Sequence, residues 1–183
     1  MLRTRVGYCG GTKESPTYRS MGDHTEAIAI DFDPTVISYE DLLKRFWDDH
    51  YCASNVGMRQ YMNAVFYHDD EQKALAEKHR ALAAQKLGIT VDSVQTALLP
   101  VGRFTYAEAY HQKYALTPHR ELRAFLSETY PDGKSLADST VATRLNAYLG
   151  SGFERDRETL EKEIASYGLP DKLRTYVLQK AKR

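Results

Sequence analysis

Cysteine is scarce in this 183-residue chain, which holds only Cys9 and Cys52. Two cysteines so far apart exclude the disulfide framework of a small secreted domain, and a chain this long can bury about 70% of its unfolded surface without one. Charge of one sign is not in excess either: 25 Lys and Arg balance 25 Asp and Glu. A basic face for nucleic acid or for an anionic membrane surface is therefore not expected. No apolar run approaches the roughly 20 residues that span a bilayer, and Met1 to Cys9 alternates basic and apolar residues instead of forming a secretory stretch. The cytosol is the expected location. The six histidines lack the short spacings of zinc sites, so no bound metal is expected. What the chain does have is tyrosine, thirteen of them within an apolar fraction of 42%, which implies a tyrosine-rich core.

Hydrophobic periodicity divides the chain into two parts. Leu2 to Tyr8 and Thr25 to Phe32 alternate in period two, the first ending at Gly10-Gly11 and the second at Asp33-Pro34, and both read as strands. Ser38 with Asp41 three residues on is an N-cap pattern that opens a helix through Leu42, Leu43, Phe46 and Trp47 to about His50. Gln60 to His68 reads as a strand with Tyr61, Asn63, Val65 and Tyr67 on one face. Asp69-Asp70-Glu71 then starts a long helix through Leu75, Leu82 and Leu87 to Gly88. Val94 to Phe104, broken by Pro100 and Gly102, suits an edge strand or an irregular end. The order β, β, α, β, α, β predicts an α+β fold, a mixed-sheet sandwich with helices on one face. After Thr117-Pro118 only helical spacing remains, with apolar faces at Leu122/Phe125/Leu126, Leu136/Val141/Leu145/Leu149, Leu160/Ile164/Tyr167 and Leu173/Tyr176/Val177. The expected organisation is one domain over 1–116 and a helical extension over 117–183. The basic end, Lys180 to Arg183, is ordinary complementation of a helix dipole.

Several residues are candidates for chemistry. The turn Gly7-Tyr8-Cys9-Gly10-Gly11 lacks the following helix and the lysine of a phosphate loop, and reads as a strand end where only glycine fits. Glu26 precedes the apolar run Ala27 to Ile30, where it is either a solvated strand-end acid or a half-buried proton donor. Tyr106, Tyr110 and Tyr114 fall at helical spacing, which suits either packing or a small pocket with hydroxyl tips.

Four stretches, TRVGYCGGTKESPTYR (Thr4 to Arg19), GDHTEAIAIDFDPTVISYEDLLKRFW (Gly22 to Trp47), GMRQYMNAVFYHDDEQ (Gly57 to Gln72) and FTYAEAYHQKY (Phe104 to Tyr114), together resemble the A-type peptide-methionine (S)-S-oxide reductases. The resemblance implies a ferredoxin-like, mixed-sheet α/β sandwich and reduction of methionine S-sulfoxide in proteins or as the free amino acid, a repair of oxidative damage. It implies no bound cofactor, with thioredoxin as external reductant. In that family a thiolate attacks the sulfoxide sulfur while a glutamic acid and two tyrosines hold and protonate the leaving oxygen. The matching acid is Glu26 in His24-Thr25-Glu26, and the matching tyrosines are Tyr18 in Pro16-Thr17-Tyr18 and Tyr114 in His111-Gln112-Lys113-Tyr114. The family's nucleophile lies in a Gly-Cys-Phe-Trp motif that this sequence lacks, and the segment between His50 and Gln60 is shorter than the family's loop. The first strand and helix of the domain are then expected to be missing and Met1 to be internal to a longer gene product. Cys9 is a weak substitute for the nucleophile, and a sulfoxide-pocket or partner-binding module without catalysis is the alternative.

Overall fold

A computed structural model describes residues 1–54, 57–150 and 157–181. Residues 55 and 56 of the short segment after His50, and Lys182 and Arg183 of the basic end, lie outside them. The fold is α+β, and the chain divides into two compact units: a sheet unit of Val6–Ala107, and a helical unit of Met1–Arg5 with Glu108–Arg183.

In the sheet unit, β1 (Arg3–Cys9, whose start belongs to the helical unit), β2 (Thr25–Asp31) and β5 (Thr105–Tyr106) form one sheet in the order β2-β1-β5. β1 and β5 run antiparallel, with Gly7 opposite Tyr106 and Tyr8 opposite Thr105. A Cβ on Gly7 would lie 2.3 Å from the Thr105 carbonyl oxygen, so only glycine allows this approach. β3 (Ala64–Tyr67) and β4 (Ala97–Pro100) make a second, parallel sheet, and the parallel pairing is possible because helix α2 (Asp70–Leu87) supplies the crossover. The cap read from the sequence forms at α1 (Tyr39–Asp48): Ser38 Oγ accepts the Asp41 N–H at 3.0 Å, and the Asp41 carboxylate accepts the Ser38 N–H at 3.2 Å. Asp69 caps α2, and Gly88 ends it in the left-handed region at φ 66°. The two helices enclose a core of Leu43, Trp47, Cys52, Val65, Ala76, Ala84 and Val94. The stripe that α2 buries is Ala76, His79 and Ala84, whereas Leu82 and Leu87 are exposed. Small residues there suit a close approach between helices, a role leucine spacing did not reveal.

Two expectations need correction here. Regular strand structure begins only at Ala64, because Arg59–Tyr61 turns as a 3₁₀ helix closed by Tyr61 N–H to the Met58 carbonyl. The tyrosines of Phe104 to Tyr114 do not share a helix: Tyr106 pairs in β5, whereas Tyr110 lies in a turn and Tyr114 opens a 3₁₀ turn, Tyr114–Leu116, of the helical unit. Lys113, at φ 52°, breaks any helical continuity.

The helical unit contains α3 (Arg120–Thr129), α4 (Gly133–Asp138), α5 (Thr140–Leu149), α6 (Arg157–Glu163) and α7 (Asp171–Lys180). The four apolar faces converge on one core that includes Leu122, Leu126, Leu136, Leu145, Leu160 and Val177. Ser139 divides the second face between two helices: it follows α4, and its hydroxyl accepts the Ala142 N–H at 3.0 Å to cap α5.

Candidate functional site

The loop between β1 and β2 is strapped down at both ends. Gly10, at φ 75°, faces the Phe66 ring, and a Cβ there would lie 2.5 Å from it. Gly11 donates its N–H to His24 Nδ1 at 3.2 Å, so the imidazole carries its proton on Nε2 and donates to the Lys13 carbonyl at 2.8 Å. Thr12 donates its N–H and hydroxyl to the Asp23 carboxylate at 2.8 and 3.0 Å. The Thr12 N–H is the main reason that the Asp23 pKa falls to about 2. Within the loop, Thr17 and Ser20 bond each other's backbone, and Lys13 Nζ donates to Ser20 Oγ. Tyr18 sits in the turn that these contacts fix.

Glu26 follows His24 and the buried Thr25 on β2. It is exposed, not half-buried, and its Oε1 accepts Gln60 Nε2 at 2.7 Å. Tyr61, the residue after Gln60, is hydrogen-bonded to the Tyr18 hydroxyl. That bond first, then partial desolvation and the negative charge available on Tyr18 and Glu26, raise the Tyr61 pKa above its ordinary value. A carboxylate, an amide and two phenols from three segments therefore meet at one surface. Their exposure leaves room for a ligand, since Tyr18 and Tyr61 keep 42% and 46% of their accessible surface. A cavity of about 330 Å³ adjoins Glu26, lined largely by apolar residues of β2, α1 and β3 such as Ile28, Leu42, Phe46 and Val65.

The structure thus brings Tyr18 and Glu26 into one site and adds Tyr61, which periodicity had placed only as one face of a strand. The signal for Tyr61 was weak: the polar pair Gln60-Tyr61 directly precedes Met62. Tyr114 belongs to the helical unit and is 74% exposed. Cys9 is buried, and its Sγ donates to the Val101 carbonyl at 2.7 Å; burial raises its thiol pKa despite the Gly10 N–H. Cys52 is buried in the α1/α2 core, and neither thiol is in a disulfide. Among the described residues no three His, Cys, Asp or Glu side chains converge to hold a metal, and no helix is long and apolar enough to cross a membrane.

An acid, an amide and hydrogen-bonded phenols beside an apolar cavity, on an α+β scaffold, place hydrogen-bonding groups next to an apolar wall. The model of the family described as peptide methionine sulfoxide reductase matches residues 1–139. The chain belongs to that family. A peptide methionine sulfoxide reductase of Drosophila melanogaster is 43% identical over 166 residues, which cover 87% of this chain and 65% of the relative. The enzyme named MsrA 1 of Mesorhizobium japonicum is 40% identical over 139 residues, 73% of each chain. Peptide methionine sulfoxide reductase A5 of Arabidopsis thaliana is 33% identical, and the match covers 59% of its length. The chain thus spans less than two thirds of the Drosophila and Arabidopsis relatives. The crystal structure of reduced Mxr1 from Saccharomyces cerevisiae superposes with a TM-score of 0.55 at 28% identity, over 64% of this chain and 71% of that one. The Corynebacterium diphtheriae reductase A, at 24% identity and a TM-score of 0.52, shares the fold.

Proposed function

We propose that this chain acts in the reduction of methionine S-sulfoxide, free or within oxidised proteins, and that Glu26, Tyr18 and Tyr61 form the part of the site that receives the sulfoxide oxygen. The observation that carries this reading is the Glu26–Gln60 and Tyr18–Tyr61 pairing on one open surface, in a chain of the reductase family. A sulfoxide oxygen is a strong acceptor and a poor leaving group, so its departure requires donors to hold it and a proton to neutralise it. The phenols hold the oxygen, and Glu26, once substrate has displaced water from it, gives the proton. A thiolate bonds to the sulfoxide sulfur, the protonated oxygen passes from that sulfur to the thiol sulfur as the new sulfur–sulfur bond breaks, and the products are a thioether and a sulfenic acid. A second thiol then reduces the sulfenic acid, with thioredoxin as the proposed external donor. A cytosolic setting accords with the two free thiols.

A second reading, a module that binds sulfoxide without turning it over, draws support from the burial of both thiols and the raised Cys9 pKa. Two measurements on the 183-residue chain separate the readings. Binding of a peptide carrying methionine S-sulfoxide, in preference to the R epimer and to methionine, is expected under both; equal affinity for all three would overturn both. Under the first reading, reduction of dabsylated methionine sulfoxide with dithiothreitol is faster than in the Cys9→Ser, Cys52→Ser double variant; under the second it is not. Turnover well above that variant would assign one of these thiols the attack.

A further inference from the structure

One residue of the sheet unit is hydrogen-bonded to both ends of the Tyr18 loop through its side chain and to the start of β2 through its carbonyl, without belonging to the site itself. Arg59 opens the 3₁₀ turn whose next two residues are Gln60 and Tyr61. Its Nε donates to the Asp23 carbonyl at 2.5 Å, and its Nη2 donates to the Gly10 carbonyl at 2.8 Å. Its own carbonyl accepts the hydroxyl of the buried Thr25 at 2.9 Å. Gly10 and Asp23 are the two ends of the loop that carries Tyr18, and Thr25 immediately precedes Glu26. The guanidinium therefore clips the loop shut at its base, while the Thr25 bond sets Gln60 beside Glu26 and Tyr61 beside Tyr18. Nε–H and the adjacent Nη2–H point from one edge of a rigid plane, which suits two carbonyls held side by side. A lysine ammonium, a point charge on a flexible stem, has no such edge.

We propose that Arg59 is a positioning residue for sulfoxide binding: it holds the Gln60–Tyr61 turn against the ends of the Tyr18 loop and so sets the spacing of Glu26, Tyr18 and Tyr61. It contributes no proton and touches no substrate in this role, which rests on the function proposed above. A displacement of catalytic groups by about 1 Å can cost 10²-fold in rate, so a loosened clip should weaken recognition even where the fold persists.

The test uses the full chain with Arg59→Lys and Thr25→Val, each first checked for folding by circular dichroism. The readout that general destabilisation would not move is the Tyr61 ionisation, followed by NMR of ¹³Cζ-labelled tyrosine and assigned by Tyr61→Phe. The expected result is that the Tyr61 step drops toward the ordinary tyrosine range in Arg59→Lys and, by less, in Thr25→Val. Affinity for the sulfoxide peptide should fall about tenfold or more alongside it in Arg59→Lys. An unchanged Tyr61 step in folded Arg59→Lys overturns the proposal; if that variant does not fold, an unchanged step in Thr25→Val overturns it instead. Failure of the unmodified chain to bind sulfoxide would reject the proposed function, whereas the tyrosine titration would still report on the clip.

Discussion

Two tyrosines compete for one role at the site, and substitution tells them apart. Tyr61→Phe deletes the hydroxyl that bonds Tyr18, and should weaken sulfoxide-peptide affinity by about fivefold to tenfold, the equivalent of one hydrogen bond of roughly 1 kcal/mol or slightly more. Tyr114→Phe tests the tyrosine that the family motif supplies: if it too holds the sulfoxide oxygen, calorimetric titration should show a loss of similar size, and affinity within twofold of the native chain would remove it from that role. Glu26 and Tyr18 were marked as candidates in the sequence by the family motifs around them. Tyr61 was not, because its partner is 43 residues away and only the folded loop brings the two hydroxyls together. Asp23 gives a second test at this scale. Its pKa lies below its unfolded value, so its contribution is complete above about pH 4 and is lost as pH falls through about 2. The protection factor of the Thr12 amide should fall over that interval in the native chain and be low at all pH in Asp23→Ala.

Elements form where local signals and tertiary demands agree. The α1 cap and the Gly88 stop of α2 were readable because their chemistry lies within four residues of sequence. The Gln60–His68 pattern misled at its start because alternation registers side-chain faces, not the backbone turn that Met58 and Arg59 close. In the helical unit the least legible contact is Lys113. It is buried, and Nζ donates to the Ala137 carbonyl at 2.9 Å, to Thr143 Oγ1 at 2.8 Å and to the Thr4 carbonyl. It ties the start of the chain to α4 and α5. Burial lowers its pKa to about 8, opposed by the Asp138 carboxylate and assisted by the Arg5 cation. Since the unfolded chain holds this proton up to about pH 10.4, it binds more protons than the folded one above pH 8, and stability from this group rises with pH across that window. The full difference is about 3 kcal/mol. Urea midpoints of the native chain should therefore climb from pH 8 to 10 relative to Lys113→Met. That variant should itself be less stable at pH 7, because it leaves two backbone carbonyls without a donor.

On the scale of the whole molecule, the two apolar cores share no residue: one gathers Leu43, Trp47, Val65 and Ala76, the other Leu122, Leu145, Leu160 and Val177. Each sits inside one unit of the chain, and Glu26, Tyr18 and Tyr61 all belong to the first. Core damage should then be felt unit by unit. Leu145 is fully buried, so Leu145→Ala should cost about 2–5 kcal/mol within the helical unit. Amide protection should fall across α3, α5 and α7 and hold in α1 and α2. Leu43→Ala, of similar chemistry in the other core, should do the converse. The functional outcome follows from where the site groups sit. Sulfoxide-peptide affinity should survive Leu145→Ala and decline in Leu43→Ala, because α1 walls the cavity beside Glu26. Hydrogen exchange measured together with peptide binding reads both effects. Equal loss of protection in both units from either variant would mean that the chain unfolds as one cooperative body, and the separation of site and helical unit would have no thermodynamic basis.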